Sequence, residues 1–304
     1  MQYTELGKTG IRVSKLGLGG APIGGDFDFT MTDEIAVRTI HAAIDHGITF
    51  LDTAPLYGSG ESERRFGLAL RGKRDKVVLA TKAVMRGEPY TYDNTIKSVE
   101  DSLRRLQTDY VDLIQLHELE TCGVEAGMNE TLPAFLKLKE QGKVRAIGVN
   151  AGKTEMLQPF IESGLIDTVQ TFAKYTLIDY AAKDVLFPMT RKHGVAVIHG
   201  SPLWMGILAD RPAKFLLKSP AMLEEAERRK ELLAFLRQGS GEPGGFIEPA
   251  MRFCLGCPDI AVTLSGASSP EEVAQNVKYC DGVGLGADVE ERVLALFPGR
   301  ALNE

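Results

Sequence analysis

Phe50-Leu-Asp-Thr-Ala-Pro-Leu-Tyr57 is a short apolar run that ends in Asp52 and then turns through Pro55 to Tyr57. Two later apolar runs end in the same way. Val77-Val-Leu-Ala-Thr81 leads into Lys82, and Val111-Asp-Leu-Ile-Gln-Leu116 leads into His117. If these runs are consecutive parallel strands of a barrel, Asp, Tyr, Lys and His converge on one mouth at the C-terminal ends of the strands. Such a set suits proton transfer at a substrate oxygen. A tyrosine hydroxyl, with a pKa of about 10 in water, is a donor near neutrality. A lysine ammonium close by favours the phenolate and lowers that pKa. The carboxylate of Asp52 would hold Lys82 charged and in place, and His117 would orient the substrate oxygen. Taken singly, each has a plainer explanation: a strand-end cap, a rim aromatic, one half of a salt bridge, a satisfied barrel histidine. Their order along the chain favours the joint reading.

The elements that must place them alternate. Strands are expected near Lys15–Gly19 and at 49–53, 77–82, 111–116, 146–150, 168–172, 195–199 and 261–265, most of them continuously apolar, as parallel strands buried on both faces are. Helices are expected at 33–46, 61–70, 93–107, 130–141, 153–163, 180–193, 220–237 and 270–280. This alternation gives an α/β fold, a (β/α)8 barrel, with residues 1–304 as one domain. Residues 3–14 read as a hairpin about Gly7-Lys-Thr-Gly10. No Gly-x-Gly-x-x-Gly leads from the first strand into a helix, which counts against a doubly wound sheet. Long top-face loops are expected at 20–31, 118–129 and 201–219, and a flexible glycine-rich segment at Gln238–Gly245.

Composition restricts the function classes. The 304 residues are 44% hydrophobic and 25% charged, with a net charge of −6. That charge argues against nucleic acid or an anionic membrane surface as partner. No apolar run reaches the length of a membrane span, and the N-terminus lacks a signal peptide's apolar core, so a cytoplasmic location is expected. Cys254-Leu-Gly-Cys257 has redox or metal spacing but no second ligand pair nearby. It reads as two thiols on a late helix, and no metal site is expected.

The stretch Gly47-Ile-Thr-Phe-Leu-Asp-Thr-Ala-Pro-Leu-Tyr-Gly-Ser-Gly-Glu-Ser-Glu63 resembles the signature of the aldo-keto reductase superfamily. So do Leu6-Gly-Lys-Thr-Gly-Ile-Arg-Val-Ser-Lys-Leu-Gly-Leu-Gly19, the run Ser102–His117, Lys139–Val149, Ser201-Pro-Leu203 and Ser268-Ser-Pro-Glu-Glu-Val-Ala-Gln-Asn276. The resemblance covers nearly the whole chain. It implies a barrel whose bottom is covered by the N-terminal hairpin, a nicotinamide cofactor held without a Rossmann domain, and catalytic roles for Asp52, Tyr57, Lys82 and His117. Within the superfamily the sequence is most similar to NAD-dependent sugar dehydrogenases of the L-galactose and aldose 1-dehydrogenase type. The features are Ser-Pro-Leu-Trp-Met-Gly-Ile-Leu208, Glu118 directly after His117, and Thr171-Phe-Ala-Lys-Tyr175.

The resemblance further implies cofactor contacts from Gly20, Ala21, Asp52, Asn150, Phe172, Ser201, Pro202, Leu203, Gly206, Ser265, Gly266, Ala267, Ser268, Glu272, Gln275 and Asn276. Substrate contacts would come from Tyr57, His117, Glu118 and Trp204. Glu118 is equally well explained by solvent, and Trp204 by ordinary packing or by covering the cofactor. His199, also at a strand end, reads as structural. Relatives commonly anchor the nicotinamide amide with a Ser-Asn pair after the fifth strand and a Gln on the sixth; those places are read here as Asn150, Ala151 and Phe172. The stacking aromatic that often precedes Ser-Pro-Leu is Gly200. No basic residue lies between Leu264 and Val277, and Glu272 stands where NADP-using relatives often carry Arg. A carboxylate there repels a 2′-phosphate and can accept from ribose hydroxyls, so NAD is expected rather than NADP. Ser269-Pro-Glu-Glu272 is also a capping box. The expected reaction is oxidation of a sugar at C1 to a lactone, with aldehyde or ketone reduction as the alternative. A cofactor-sensing interaction subunit is the rival from another class.

Overall fold

The computed structural model describes residues 1–26, 30–239, 244–297 and 301–302. Parts of the expected loop 20–31 and of the glycine-rich segment Gln238–Gly245 therefore lie outside the described residues. Ten strands follow in order: β1 Tyr3–Glu5, β2 Arg12–Ser14, β3 Leu16–Gly19, β4 Phe50–Asp52, β5 Val78–Ala83, β6 Val111–Leu116, β7 Val144–Asn150, β8 Thr168–Phe172, β9 Ala196–Gly200 and β10 Ile260–Gly266. Strands β3 to β10 pair in parallel in sequence order, and β10 closes on β3, so the sheet is an eight-stranded barrel without edges. Each run of apolar residues read from the sequence is one of these strands, displaced by two residues at most.

The antiparallel pair β1–β2, in the register Tyr3↔Ser14, is the expected hairpin. Its Leu6, Ile11 and Val13 pack with Phe50, Val78, Ala80, Leu113, Ala146, Ile198, Val262 and Leu264 from the barrel interior. The hairpin thus plugs the lower end with apolar side chains. Gly7 takes φ +59 where the turn meets the backbone of Asp167, Gly194 and Ala196 at the start of β9. The larger apolar cluster lies outside the strands, between barrel and helices.

The helices fall close to their expected places: Asp33–Asp45, Glu61–Ala69, Tyr92–Leu106, Leu132–Glu140, Gln158–Ser163, Ala182–His193, Pro220–Leu232 and Pro270–Lys278. Cys254 sits on a helix over Ile247–Gly256, and a further helix, Ala287–Leu294, was not expected. The long loop expected at 118–129 is a correction: Leu119–Ala126 is helical, kinked at Gly123 (φ 78), and leads through a wide turn at Gly127–Thr131 into the next helix. Two glycines in that stretch weaken its helical signal in sequence. In the structure Gly123 supplies the kink, and Gly127 lies where a Cβ would press on Phe160, Leu116 and Leu119.

Candidate active site

Side chains alternate across a strand, so each barrel strand carries an inward ladder. Below, the ladder is apolar. One rung higher stand Asp52 on β4, Lys82 on β5, Gln115 on β6 and Gln170 on β8, all buried. Above them are His117, Asn150, Phe172 and Gly200. The polar rung is the floor of the barrel mouth.

Tyr57 comes to this floor from the β4 loop, and the residues around it explain the local sequence. Thr53 Oγ1 donates to Ser62 Oγ at 2.8 Å, and Ser62 Oγ donates to the Gly20 carbonyl at 2.8 Å. Glu63, fully buried, accepts from Thr81 Oγ1 at 2.5 Å and from Arg105 Nε at 2.6 Å. Helix Glu61–Ala69 is thereby tied to β3, β5 and helix Tyr92–Leu106. Gly58 follows Tyr57 at φ +59, and its N–H donates to the Asp26 carboxylate. A Cβ at Gly58 would collide with the Gly24 carbonyl. Glycine is required there by conformation and by space.

The structure brings Asp52, Tyr57, Lys82 and His117 together. Lys82 Nζ donates to Asp52 Oδ2 at 2.7 Å, to Oδ1 at 2.9 Å and to the Thr53 carbonyl at 2.9 Å. It also lies 4.8 Å from the centre of the Tyr57 ring. The Tyr57 and His117 rings meet edge to face at 5.8 Å. Burial alone would push the Lys82 ammonium down, but Asp52 and Tyr57 together hold it above its ordinary value. The Tyr57 hydroxyl is raised, because burial outweighs the pull of Lys82. This corrects the sequence expectation of a lowered tyrosine. His117 is held well below the usual imidazole value by burial, with Lys82 and Arg86 acting in the same direction. It is neutral near pH 7, able to donate or accept a hydrogen bond.

At the rim, Glu118 is paired rather than free. Arg86 Nε and Nη2 donate to its carboxylate at 2.9 and 2.6 Å. Glu118 has φ 50, and its N–H donates to Asn150 Oδ1 at 3.1 Å. Asn150 Nδ2 donates to the Gln170 carbonyl at 3.2 Å, so its side chain braces β6 against β8. Arg86 had no signal in the sequence, because the loop that carries it follows β5 without periodicity. Trp204 is buried in the outer apolar cluster, at φ 48, and among the described residues its indole N–H has no hydrogen-bond partner. His199 Nε2 accepts from the Tyr175 N–H at 3.2 Å, and burial holds its pKa down to about 3, as suits a structural histidine. Gln170 corrects another reading: the sixth barrel strand does carry an inward glutamine, two residues before Phe172. Phe172 is half-buried beside Gly200, where its Cβ would be 3.4 Å from an added one.

The remaining candidates lie at the C-terminal ends of β3, β9 and β10 or on the segments that follow them. Gly20 is buried where a Cβ would meet the Asp52 carbonyl, Ser62 and Phe66; Ala21 opens a single helical turn, Ala21–Gly24. Ser201, Leu203 and Gly206 are half-exposed and Pro202 is buried in the turns after β9. Ser265, next to last in β10, accepts from Asn276 Nδ2 at 3.0 Å. Gly266, Ala267 and Ser268 run from there to helix Pro270–Lys278, where Gln275 donates to Tyr279 at 3.2 Å. The cap is half of the expected box. Ser269 Oγ accepts from the Glu272 N–H at 3.3 Å, but the Glu272 carboxylate reaches Ser268 instead, accepting from its N–H at 2.7 Å and its Oγ at 3.0 Å. A run of donors at a helix N-terminus fits the polar end of a dinucleotide. Among the described residues no group of three His, Cys, Asp or Glu side chains is placed to hold a metal ion, and no helix is long and apolar enough to cross a membrane.

Comparison with known proteins agrees with this geometry. The chain is 32% identical over 300 residues to L-galactose dehydrogenase of Arabidopsis thaliana, covering 95% of this chain and 92% of that one. It is 30% identical over 304 residues to the NADH-specific methylglyoxal reductase of Escherichia coli, covering 91% and 93%. An aldo-keto reductase from Bacillus halodurans, in its holo form, superposes with a TM-score of 0.81 at 28% identity, covering 100% of this chain and 99% of that one. The model of the aldo/keto reductase family matches residues 15–291. With its closed parallel barrel, plugging hairpin and converged Asp52, Tyr57, Lys82 and His117, this chain belongs to the aldo/keto reductase family and is an oxidoreductase.

Proposed function

We propose that this enzyme works with NAD, in the cytoplasm, and oxidises a sugar at C1 to its lactone. When bound, the nicotinamide supplies the hydride acceptor. Tyr57 takes the proton of the C1 hydroxyl as the hydride leaves carbon, and His117, neutral, hydrogen-bonds the same oxygen and fixes its direction. Lys82 stabilises the phenolate form of Tyr57 that accepts this proton, and Asp52 keeps Lys82 ionised and in place. The observation that carries the choice of NAD is the Glu272 carboxylate, which accepts from Ser268 N–H and Oγ. A carboxylate in that place, already held by the Ser268 donors, repels a second anion such as a 2′-phosphate. The Arg86–Glu118 pair beside His117 supports a polyhydroxyl substrate, since it offers paired donors and acceptors at no net charge. The relative named L-galactose dehydrogenase acts on such a compound.

Reduction of a small aldehyde or ketone is the second reading. It is favoured by the raised Tyr57 hydroxyl, which is a proton donor near neutrality. The test is formation of reduced cofactor from NAD and NADP across a panel of aldoses, beside cofactor consumption with small dicarbonyls. NAD-dependent turnover of an aldose supports the first reading. Turnover of dicarbonyls alone replaces it with the second. Glu272→Arg should move the NAD/NADP preference toward NADP by about tenfold or more; an unchanged ratio contradicts the role given to Glu272.

A further inference from the structure

Arg86 and Glu118 stand at the rim directly beside a reacting group, since Glu118 follows His117 in the chain. Their geometry is that of a receptor and its occupant. A guanidinium takes a carboxylate along an edge that offers two N–H groups side by side. In Arg86 that edge is Nε and Nη2, and Glu118 fills it. Both nitrogens donate to Oε2, at 2.9 and 2.6 Å, and Nη2 also donates to Oε1. The backbone keeps Glu118 there. Its φ of 50 is a left-handed conformation, which a residue with a Cβ adopts only where its surroundings hold it. Three hydrogen bonds do so. The Glu118 N–H donates to Asn150 Oδ1 at 3.1 Å, the Glu118 carbonyl accepts from the Thr121 N–H at 2.7 Å, and the His117 carbonyl accepts from the Tyr90 hydroxyl at 2.8 Å. The pair also acts on the reacting groups. Burial raises the Tyr57 hydroxyl, and the Glu118 carboxylate adds to that; burial lowers His117, and Lys82 and Arg86 add to that. Both charges are therefore within electrostatic reach of the groups that would meet the substrate oxygen. The Arg86 side chain is 59% exposed and that of Glu118 24%, so either charge can be removed without stranding the other in the interior.

We infer that Glu118 is a specificity-determining residue that selects substrates by charge. By filling the fork of Arg86 it denies that fork to a substrate carboxylate. What remains is a pair without net charge, whose outer N–H groups and oxygen lone pairs suit hydroxyls. Without Glu118, Arg86 is a receptor for a carboxylate beside His117. The enzyme therefore takes neutral aldoses and rejects the uronic acids that differ from them only by a carboxylate at C6. Selection of this kind is set by what the site repels as much as by what it binds. The choice of sugars rests on the reading given above, whereas the selection by charge applies to any carbonyl compound that reaches His117.

The test is the ratio of kcat/KM for an aldose to that for the uronic acid of the same ring configuration, measured for wild type, Glu118→Gln, Arg86→Gln and the double variant. Wild type should favour the aldose by about tenfold or more. Glu118→Gln frees the fork and should shift the ratio toward the uronic acid by about tenfold or more. Arg86→Gln leaves the carboxylate alone and should shift the ratio the other way, which reads the same selection if Glu118→Gln does not fold. The double variant, uncharged as the wild-type pair is, should fall between the two single variants. A merely structural role would lower both rates together and leave the ratio where it was. Butanal and succinic semialdehyde form the matching pair for reduction, and the same shifts should appear with them. A Glu118→Gln ratio equal to that of wild type, or shifts of the same sign in both single variants, overturns the proposal. A wild type that reduces butanal but oxidises no aldose overturns the sugar reading alone, and the ratio of the two aldehydes then decides the selection by charge.

Discussion

Lys82 has no exposed surface, yet it makes three hydrogen bonds, two of them to a buried carboxylate. Removing one partner of such a pair leaves the other charge buried and unpaired, which costs about 3–5 kcal/mol. Lys82→Met should therefore lower stability by that order, read by denaturant unfolding, and remove nearly all turnover. The Tyr57 hydroxyl, raised by burial, sets the pH dependence. The protonated form serves as acid in reduction and is present below its pKa. Reductive turnover should hold through neutrality and fall as pH rises through the Tyr57 pKa, above about 10, while oxidative turnover should rise over the same range. A pH–rate profile in each direction checks the sign. These residues were legible in sequence as a set, because each ends or follows an apolar run. The direction of the tyrosine shift was not, because burial is a property of the folded mouth. Gln115 and Gln170 were not legible either: a glutamine inside an apolar run carries no mark of its partners.

At the scale of elements, the barrel strands could be read because strands covered on both faces are apolar without interruption. Two helix starts rest on caps that were not singled out in sequence: Thr32 accepts from the Ile35 N–H and Thr91 from the Asn94 N–H, each just before its helix. The stretch after His117 was not legible, since its glycines imitate a loop. The β4 loop is the element that carries Tyr57 to the mouth. Gly58 stands in the left-handed region against the Gly24 carbonyl and fixes the direction of Tyr57. Gly58→Ala adds a conformational cost of about 1–2 kcal/mol and a collision that moves the loop. Its kcat should fall at least about tenfold and its melting temperature by a few degrees. A variant with wild-type kcat would show that the Tyr57 position tolerates this loop's movement.

Over the whole molecule, the plugged lower end and the polar mouth divide the barrel into a part that stabilises and a part that reacts. Stability carries its own pH dependence. His117 and His199 are both buried with pKa values held below that of a free imidazole, His199 down to about 3. The unfolded chain binds protons at these positions below about pH 6.5 while the folded chain does not, so stability is lost as pH falls below that value. His199 alone should contribute about 2 kcal/mol between pH 6.5 and 5, and His199→Gln should flatten that slope in denaturant unfolding. The architecture was legible from alternation and motif. The pairing of Glu118 with Arg86, and of Glu272 with Ser268, was not, since both depend on how loops fold back. In the proposed reaction Tyr57 moves the proton at a mouth that would also hold the cofactor. The most direct measurement compares Tyr57→Phe with wild type for NADH binding and for turnover. NADH affinity should stay within about threefold of wild type and turnover should fall by at least about a thousandfold; Tyr57→Phe that turns over at a rate near wild type would overturn the role given to Tyr57.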